Sequence, residues 1–204
     1  MPPESVVHVI DDDPAMRDSL EFLFDTAGLP VRAYESATAF LAALDDAEGC
    51  IVTDVRMPEM TGIELLNELR GQGSILPVIV ITGHGDVPMA IEAMKAGAKD
   101  FLEKPFDDER LLGVVRSAIQ EAGAHRGEQQ EQAAVRERIG KLSQRERQVL
   151  RRLVDGQLNK TIAWELGISP RTVEVYRAKL MAKMGAPAFA DLVRMALLAG
   201  NIED

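Results

Sequence analysis

Val6-Val7-His8-Val9-Ile10-Asp11-Asp12-Asp13-Pro14 runs from an apolar stretch directly into three acids and a proline. Five residues of mostly β-branched character, then a capping acid and a proline at a first helical position, read as a buried strand turning into a helix. The same unit recurs downstream. Strands are expected at 30–34, 50–53, 78–81 and 101–102, with helical segments between them. Asp13 caps the first helix and Gly28 ends it; Ser36 caps the next, to about residue 44. A third covers 61–70 and stops at Gly71, a fourth covers 87–96 with Asp86 as cap and Gly97 as stop, and Asp107 caps a fifth. Strands alternating with helices imply right-handed crossovers and a doubly wound α/β fold, a five-stranded parallel sheet covered on both faces.

Working outward, 204 residues favour two small domains, and 46% apolar residues suffice for real cores. No apolar run reaches spanning length, and Met1-Pro2-Pro3-Glu4 has neither the basic flank nor the apolar core of a signal peptide. With a single cysteine, Cys50, no internal disulfide forms, so a cytoplasmic protein without membrane contact is expected. The net charge of −10 argues against a nucleic-acid partner until it is divided along the chain. Residues 1–124 hold 9 Lys/Arg against 23 Asp/Glu, whereas 125–204 hold 14 against 10. An acidic half joined to a basic half suggests domains with different partners. The expected boundaries are 1–122, a polar and charged linker at 123–140 that is helical but has little to bury, and 141–204.

From Leu142 the pattern is helical throughout, giving an all-α four-helix domain. Ser143-Gln-Arg-Glu146 is a capping box opening a helix that Gly156 ends. A short helix at 159–166 stops at Gly167; Ser169 and Pro170 start a third, ended by Gly185, and a fourth covers 188–198. Two short helices separated by Gly167-Ile-Ser-Pro170 have helix-turn-helix spacing. On the third helix Val173, Leu180 and Met184 should pack inward, while Arg171, Glu174, Val175 and Ala178 share another stripe, flanked by Arg177, Lys179 and Lys183. Small or polar groups toward base edges and cations toward phosphates are what a recognition helix needs. An ordinary solvated surface helix is the plainer reading of that segment alone; the concentration of positive charge weighs against it.

Ligands of parallel α/β sheets sit beyond the carboxyl ends of strands, where strand order reverses. In a sheet ordered 2-1-3-4-5, Asp11 and Asp12 after the first strand would meet Asp54 after the third, so three carboxylates are expected to converge. Two carboxylates ~5 Å apart repel by roughly 3 kcal/mol at an effective dielectric of about 20. A divalent cation relieves this, and oxygen-only ligands indicate Mg²⁺ rather than zinc. Thr82 and Lys104 follow the fourth and fifth strands. A hydroxyl, an ammonium and a metal around one carboxylate suit phosphoryl transfer, with Asp54 as nucleophile. Alone, the Asp11–Asp13 run could be a capping turn and Thr82 or Lys104 a surface residue. Their shared position at strand ends favours a site.

Residues 4–122 resemble the receiver domain of bacterial two-component response regulators: Asp11-Asp12, Asp54-Val-Arg-Met-Pro58 followed by Gly62, Thr82-Gly, and Lys104-Pro105. The resemblance implies a flavodoxin/CheY-like fold in which Asp54 accepts phosphate from a phosphohistidine on a sensor histidine kinase. It also implies Mg²⁺ held by Asp12, Asp54 and the Arg56 carbonyl with help from Asp11, a switch pair of Thr82 and Phe101, and a cis bond at Lys104-Pro105. Residues 142–202 resemble the LuxR/FixJ-type helix-turn-helix through Leu142-Ser-Gln-Arg-Glu146, Asn159-Lys-Thr-Ile-Ala163, Leu166-Gly-Ile-Ser169, Arg171-Thr-Val173 and the segment from Lys179 to Met184. That implies Lys160, Thr161 and Thr172 near phosphates of double-stranded DNA and Glu174, Val175 and Ala178 nearest the bases.

The segments Thr82-Gly-His-Gly-Asp-Val-Pro-Met-Ala90 and Phe101-Leu-Glu-Lys-Pro-Phe106 look like FixJ-type regulators of nitrogen fixation. That subgroup implies an oxygen-sensing haem kinase as partner. The expected action is transcriptional: phosphorylation promotes a homodimer through the face formed by 87–119, placing paired helix-turn-helix domains on DNA for RNA polymerase. His84 is expected to serve its loop rather than catalysis. Three other classes compete, of which a plain interaction module with a dead acceptor site is disfavoured by the presence of every expected site residue. An Asp-nucleophile phosphotransferase or phosphatase of the haloacid-dehalogenase type needs a second acid two residues after the nucleophile, where this chain has Arg56. A small-ligand-switched LuxR-type regulator needs an aromatic-lined ligand domain, against which 4% aromatic content counts. The chain is therefore read as a regulator and not an enzyme.

Overall fold

A computed structural model describes residues 5–44, 47–83 and 87–200. It divides into two compact units between His125 and Arg126. In the first, strands β1 (Val6–Ile10), β2 (Val31–Tyr34), β3 (Gly49–Asp54), β4 (Val78–Thr82) and β5 (Asp100–Glu103) form one sheet. Its order is β2-β1-β3-β4-β5 and every pairing is parallel. The intervening helices are α1 (Pro14–Thr26), α2 (Ala37–Leu41), α3 (Gly62–Gly71), α4 (Val87–Lys95) and α5 (Asp108–Gly140).

Both faces of the sheet are buried, and the pleat sorts each strand between them. Val7 and Val9 of β1, Cys50 and Val52 of β3, and Ile79 and Ile81 of β4 pack with Leu20 and Phe24 of α1 and Leu111 and Val115 of α5. Ile10, Ile51, Val78 and Val80 point the other way, toward Phe40 of α2, Leu65 and Leu69 of α3 and Ala93 of α4. This two-sided burial is why the strands read as apolar runs rather than as alternating patterns.

Local chemistry sets the helix starts. Asp13 accepts from the Ala15 N–H at 2.9 Å, with Pro14 as the first helical residue, and Ser36 accepts from Ala39 N–H at 3.1 Å. Thr61 and Glu64 form a reciprocal capping box on α3, and Asp107 accepts from Arg110 N–H at 3.0 Å. The differences from expectation are small: α2 is shorter, and β5 is four residues long, its backbone held by the ladder to β4. Asp86, expected to cap α4, and His84 lie outside the described residues.

His8 lies inside this unit, 2% exposed, with Phe40 and Tyr34 rings against it. Its Nε2 donates to the Glu48 carbonyl at 3.1 Å, which leaves Nδ1 as the acceptor 3.3 Å from the Tyr34 hydroxyl. Burial lowers the His8 pKa below its ordinary 6.5; the Glu48 hydrogen bond opposes this and Arg32 adds to it. The neutral ring is thus the folded form. Its contribution is complete above 6.5 and lost as pH falls through and below that value. Urea midpoints are expected to drop below pH 6.5, with His8→Gln flattening that first part of the profile. Superimposable profiles for the two proteins would refute the assignment.

The second unit contains α6 (Gln144–Val154), α7 (Asn159–Leu166), α8 (Pro170–Met184) and α9 (Phe189–Ala199). Leu150, Ile162, Val173, Leu180, Met184 and Leu192 form its core. Gly167, at φ 64 between α7 and α8, takes the left-handed turn that a side chain disfavours.

One expectation needs correction. The linker expected at 123–140, polar with little to bury, instead packs its end into the second unit's core through Val135, only 3% exposed, with Ile139 beside it. Two aliphatic residues at i, i+4 are enough to give a polar helix one inward stripe.

Candidate functional site

The carboxyl ends of β1, β3, β4 and β5 bring Asp11, Asp54, Thr82 and Lys104 to one edge of the sheet. Lys104 Nζ lies 3.0 Å from Asp11 Oδ2 and 2.7 Å from Asp54 Oδ1, bridging the two acids. Asp11 is 1% exposed and Asp54 7%. The remaining carboxylate oxygens are also engaged: Asp13 N–H donates to Asp11 Oδ1 at 2.9 Å and Arg56 N–H to Asp54 Oδ2 at 2.6 Å. Arg17 Nη1 donates to the Asp11 carbonyl at 2.7 Å and braces the end of β1.

Burial pushes the Asp11 carboxyl up; the Asp13 N–H and Lys104 oppose this only partly, and the Asp54 charge adds to it. Burial alone would pull Lys104 down, but its hydrogen bonds to Asp54 and Asp11 outweigh burial and the pKa is raised. The ammonium therefore holds two carboxylates that otherwise repel.

Thr82 is 1% exposed, its Oγ1 3.9 Å from Met89 Sδ. Phe101 is half-buried against the core on the α3 side. The Lys104–Pro105 peptide is cis. Of the three carboxylates expected to converge, Asp11 and Asp54 meet through Lys104. Asp12 is exposed, and among the described residues no group of three Asp, Glu, His or Cys side chains is arranged to hold a metal. Asp11 is buried at the end of β1, and its neighbour Asp12 is left exposed. Arg56 is exposed and meets Asp54 through its backbone.

Gly62 opens α3 against the nucleophile candidate's own backbone. A Cβ there would stand 2.3 Å from the Asp54 carbonyl oxygen. The sequence marks the glycine, but only the fold shows what it approaches.

In the second unit, α7 and α8 form the helix-turn-helix. Val173, Leu180 and Met184 are fully buried, as expected, and Arg171, Glu174, Val175, Ala178 and Lys179 are exposed on α8. Lys160 and Thr161 are exposed at the start of α7. Several residues expected at the interface also have partners within the unit. Thr172 Oγ1 is 2.9 Å from the capping Ser169 hydroxyl, the Arg177 guanidinium lies 4.3 Å from the Phe189 ring centroid, and Lys183 Nζ is 2.8 Å from Glu146 Oε2. Glu146, 4% exposed, also receives the Ser143 N–H and hydroxyl. Burial would raise its pKa, but Lys183 and Ser143 together hold it below the ordinary value. This ties the far end of α8 to the start of α6, a contact between residues 37 apart that no local pattern announces.

A parallel sheet with bridged acids at its carboxyl edge, and a basic helix-turn-helix, define a receiver joined to a DNA-binding domain. Residues 7–116 match the response regulator receiver domain, and residues 140–196 match the luxR family of bacterial regulatory proteins. The chain belongs to the two-component response regulators with a LuxR-type DNA-binding domain, which are transcription regulators. It is similar to the transcriptional regulatory protein FixJ of Azorhizobium caulinodans, 57% identical over 98% of this chain and 95% of that one. Among solved structures it is similar to full-length FixJ from B. japonicum, 51% identical over 97% of this chain and 98% of that one with a TM-score of 0.60. The response regulator StyR is 38% identical over 95% of this chain and 98% of that one, with a TM-score of 0.86. Among the described residues no helix is long and apolar enough to cross a membrane.

Proposed function

We propose that Asp54 accepts a phosphoryl group from a phosphohistidine of a partner kinase and that this controls DNA binding by the second unit. The observation carrying the reading is the bridge of Lys104 between Asp54, at 2.7 Å, and Asp11, at 3.0 Å. An Asp54 oxygen attacks phosphorus, the phosphorus–nitrogen bond breaks, and the imidazole leaves with that electron pair. Lys104 then moves its hydrogen bonds to the phosphoryl oxygens, and the Thr82 hydroxyl turns from Met89 toward them as Phe101 turns inward.

The donor set, of hard oxygens only, suits Mg²⁺: Asp54 and the Arg56 carbonyl would hold it, with Asp12 turning in to join them and Asp11 assisting. When bound, Mg²⁺ supplies positive charge against the phosphoryl oxygens. We read the outcome as a homodimer formed through the face of 87–119, which carries exposed Val87, Ile91 and Met94. Dimerisation sets two helix-turn-helix units on paired half-sites. Lys160, Thr161, Arg171, Thr172, Arg177, Lys179 and Lys183 would serve phosphates, and Glu174, Val175 and Ala178 the bases. The likeness to FixJ supports a cytoplasmic activator working with RNA polymerase on nitrogen-fixation genes, its partner an oxygen-sensing haem kinase. We read no enzymatic turnover as its task.

The test is intact mass and solution mass before and after acetyl phosphate, with Mg²⁺ or with chelator. One added phosphoryl group and a dimer, both only with Mg²⁺, are expected. A phosphorylated monomer would move the switch to release of the DNA-binding unit. Failure to take up phosphate from both acetyl phosphate and a phosphorylated kinase would overturn the reading.

A further inference from the structure

We infer that Trp164, on the first helix of the helix-turn-helix, contacts the sugar–phosphate backbone of duplex DNA. It is the single tryptophan of the chain and is 81% exposed. An indole left that open is unusual, because tryptophan is highly buried on average. The inner side of α7 is accounted for by Ile162 and Ala163, both in the core. Trp164 lies on the opposite side. Lys160 stands four residues before it and Thr161 three, and such positions are adjacent on a helix surface. Both are exposed.

The face therefore offers an ammonium, a hydroxyl and an indole side by side. Glu165, the nearest acid in sequence, has its charge matched by Arg152 at 2.8 Å. The first helix of such a motif crosses the DNA backbone while the second enters the groove. A cation and hydroxyl suit phosphate oxygens. The indole N–H is a donor with no acceptor role, and its ring presents an apolar plane that deoxyribose can cover. A protein partner such as RNA polymerase would be the other occupant of an exposed tryptophan, but the basic and hydroxyl neighbours favour the nucleic acid.

The inference rests on DNA binding by the second unit, and the experiment separates the two. The full chain, treated with acetyl phosphate and Mg²⁺, is titrated with a short mixed-sequence duplex at low salt, following both the anisotropy of a label on the DNA and the emission of Trp164. Emission should be quenched or blue-shifted in parallel with anisotropy. Trp164→Ala should weaken binding about 5-fold, the worth of one neutral hydrogen bond with its ring contact. Because tryptophan is uncharged, that loss should be the same at every salt concentration. Lys160→Ala should instead reduce the log–log salt slope by about 1.

Rising anisotropy with unchanged emission, or wild-type affinity in Trp164→Ala, would overturn the contact while leaving DNA binding intact. Emission that responds to RNA polymerase and not to DNA would overturn it and give the face to a protein. Flat anisotropy at low salt would overturn DNA binding and the contact together.

Discussion

Asp54→Asn is expected to take up no phosphoryl group and to show the same solution mass and DNA affinity with or without acetyl phosphate. The amide oxygen is too weak a nucleophile to displace the donor's leaving group. The fold should survive the change. Lys104 keeps Asp11 at 3.0 Å, and the one amide oxygen can still accept from the Arg56 N–H while the ammonium turns wholly to Asp11. Removing the Asp54 charge also removes one of the influences that push the Asp11 carboxyl up. Thermal stability should therefore be unchanged or higher, which separates loss of chemistry from loss of structure. A variant that still dimerises in response to the donor would place the acceptor elsewhere.

Gly62→Ala should damage the same site through the backbone. Its added methyl would lie 2.3 Å from the Asp54 carbonyl oxygen and 3.1 Å from Thr53 Cγ2. A carbonyl at the end of a buried strand cannot swing aside as a flexible side chain can, so α3 must back away from β3. Forcing a methyl into packed structure costs about 3 kcal/mol when neighbours cannot give. The strain falls on Asp54 itself, so phosphate uptake should slow along with the drop in stability. Urea unfolding followed by circular dichroism, beside uptake measured by intact mass, reads both. A wild-type midpoint would mean that α3 has slack the close approach does not suggest. Conformational freedom is not the issue at this position, as Gly62 is absent from the glycines with positive φ.

Much of this was legible because its causes are local or periodic. Apolar runs of strand length, each followed by a capping residue, mark strand ends, and strand ends fix where Asp11, Asp54, Thr82 and Lys104 must emerge. Ser143 and Glu146 announce the start of α6 in four residues. What could not be read depends on direction and distance. Nothing in Asp11-Asp12 tells which carboxylate is buried, and in the structure it is Asp11. The Lys104–Asp11 bridge joins residues 93 apart, and the Lys183–Glu146 pair joins two helices whose packing no pattern specifies. Val135 was hidden by its company: one valine amid glutamines, glutamates and arginines looks like a solvated helix until its partner core is known.

The end of α5 has a bearing on how this protein can be recombined. Arg138 Nη1 donates to the Met184 carbonyl at 2.8 Å and Arg136 Nε to the Ala199 carbonyl at 3.2 Å, so guanidinium groups close the carboxyl ends of α8 and α9. Last-turn carbonyls lack helical partners, and cations there also meet the negative pole of the helix. The seam between the halves, for anyone transplanting the DNA reader onto a foreign receiver, thus falls well before the serine that opens α6. A graft begun at Lys141 would arrive without Val135 and with both helix ends bare, whereas one begun at Arg126 carries its own closures with it.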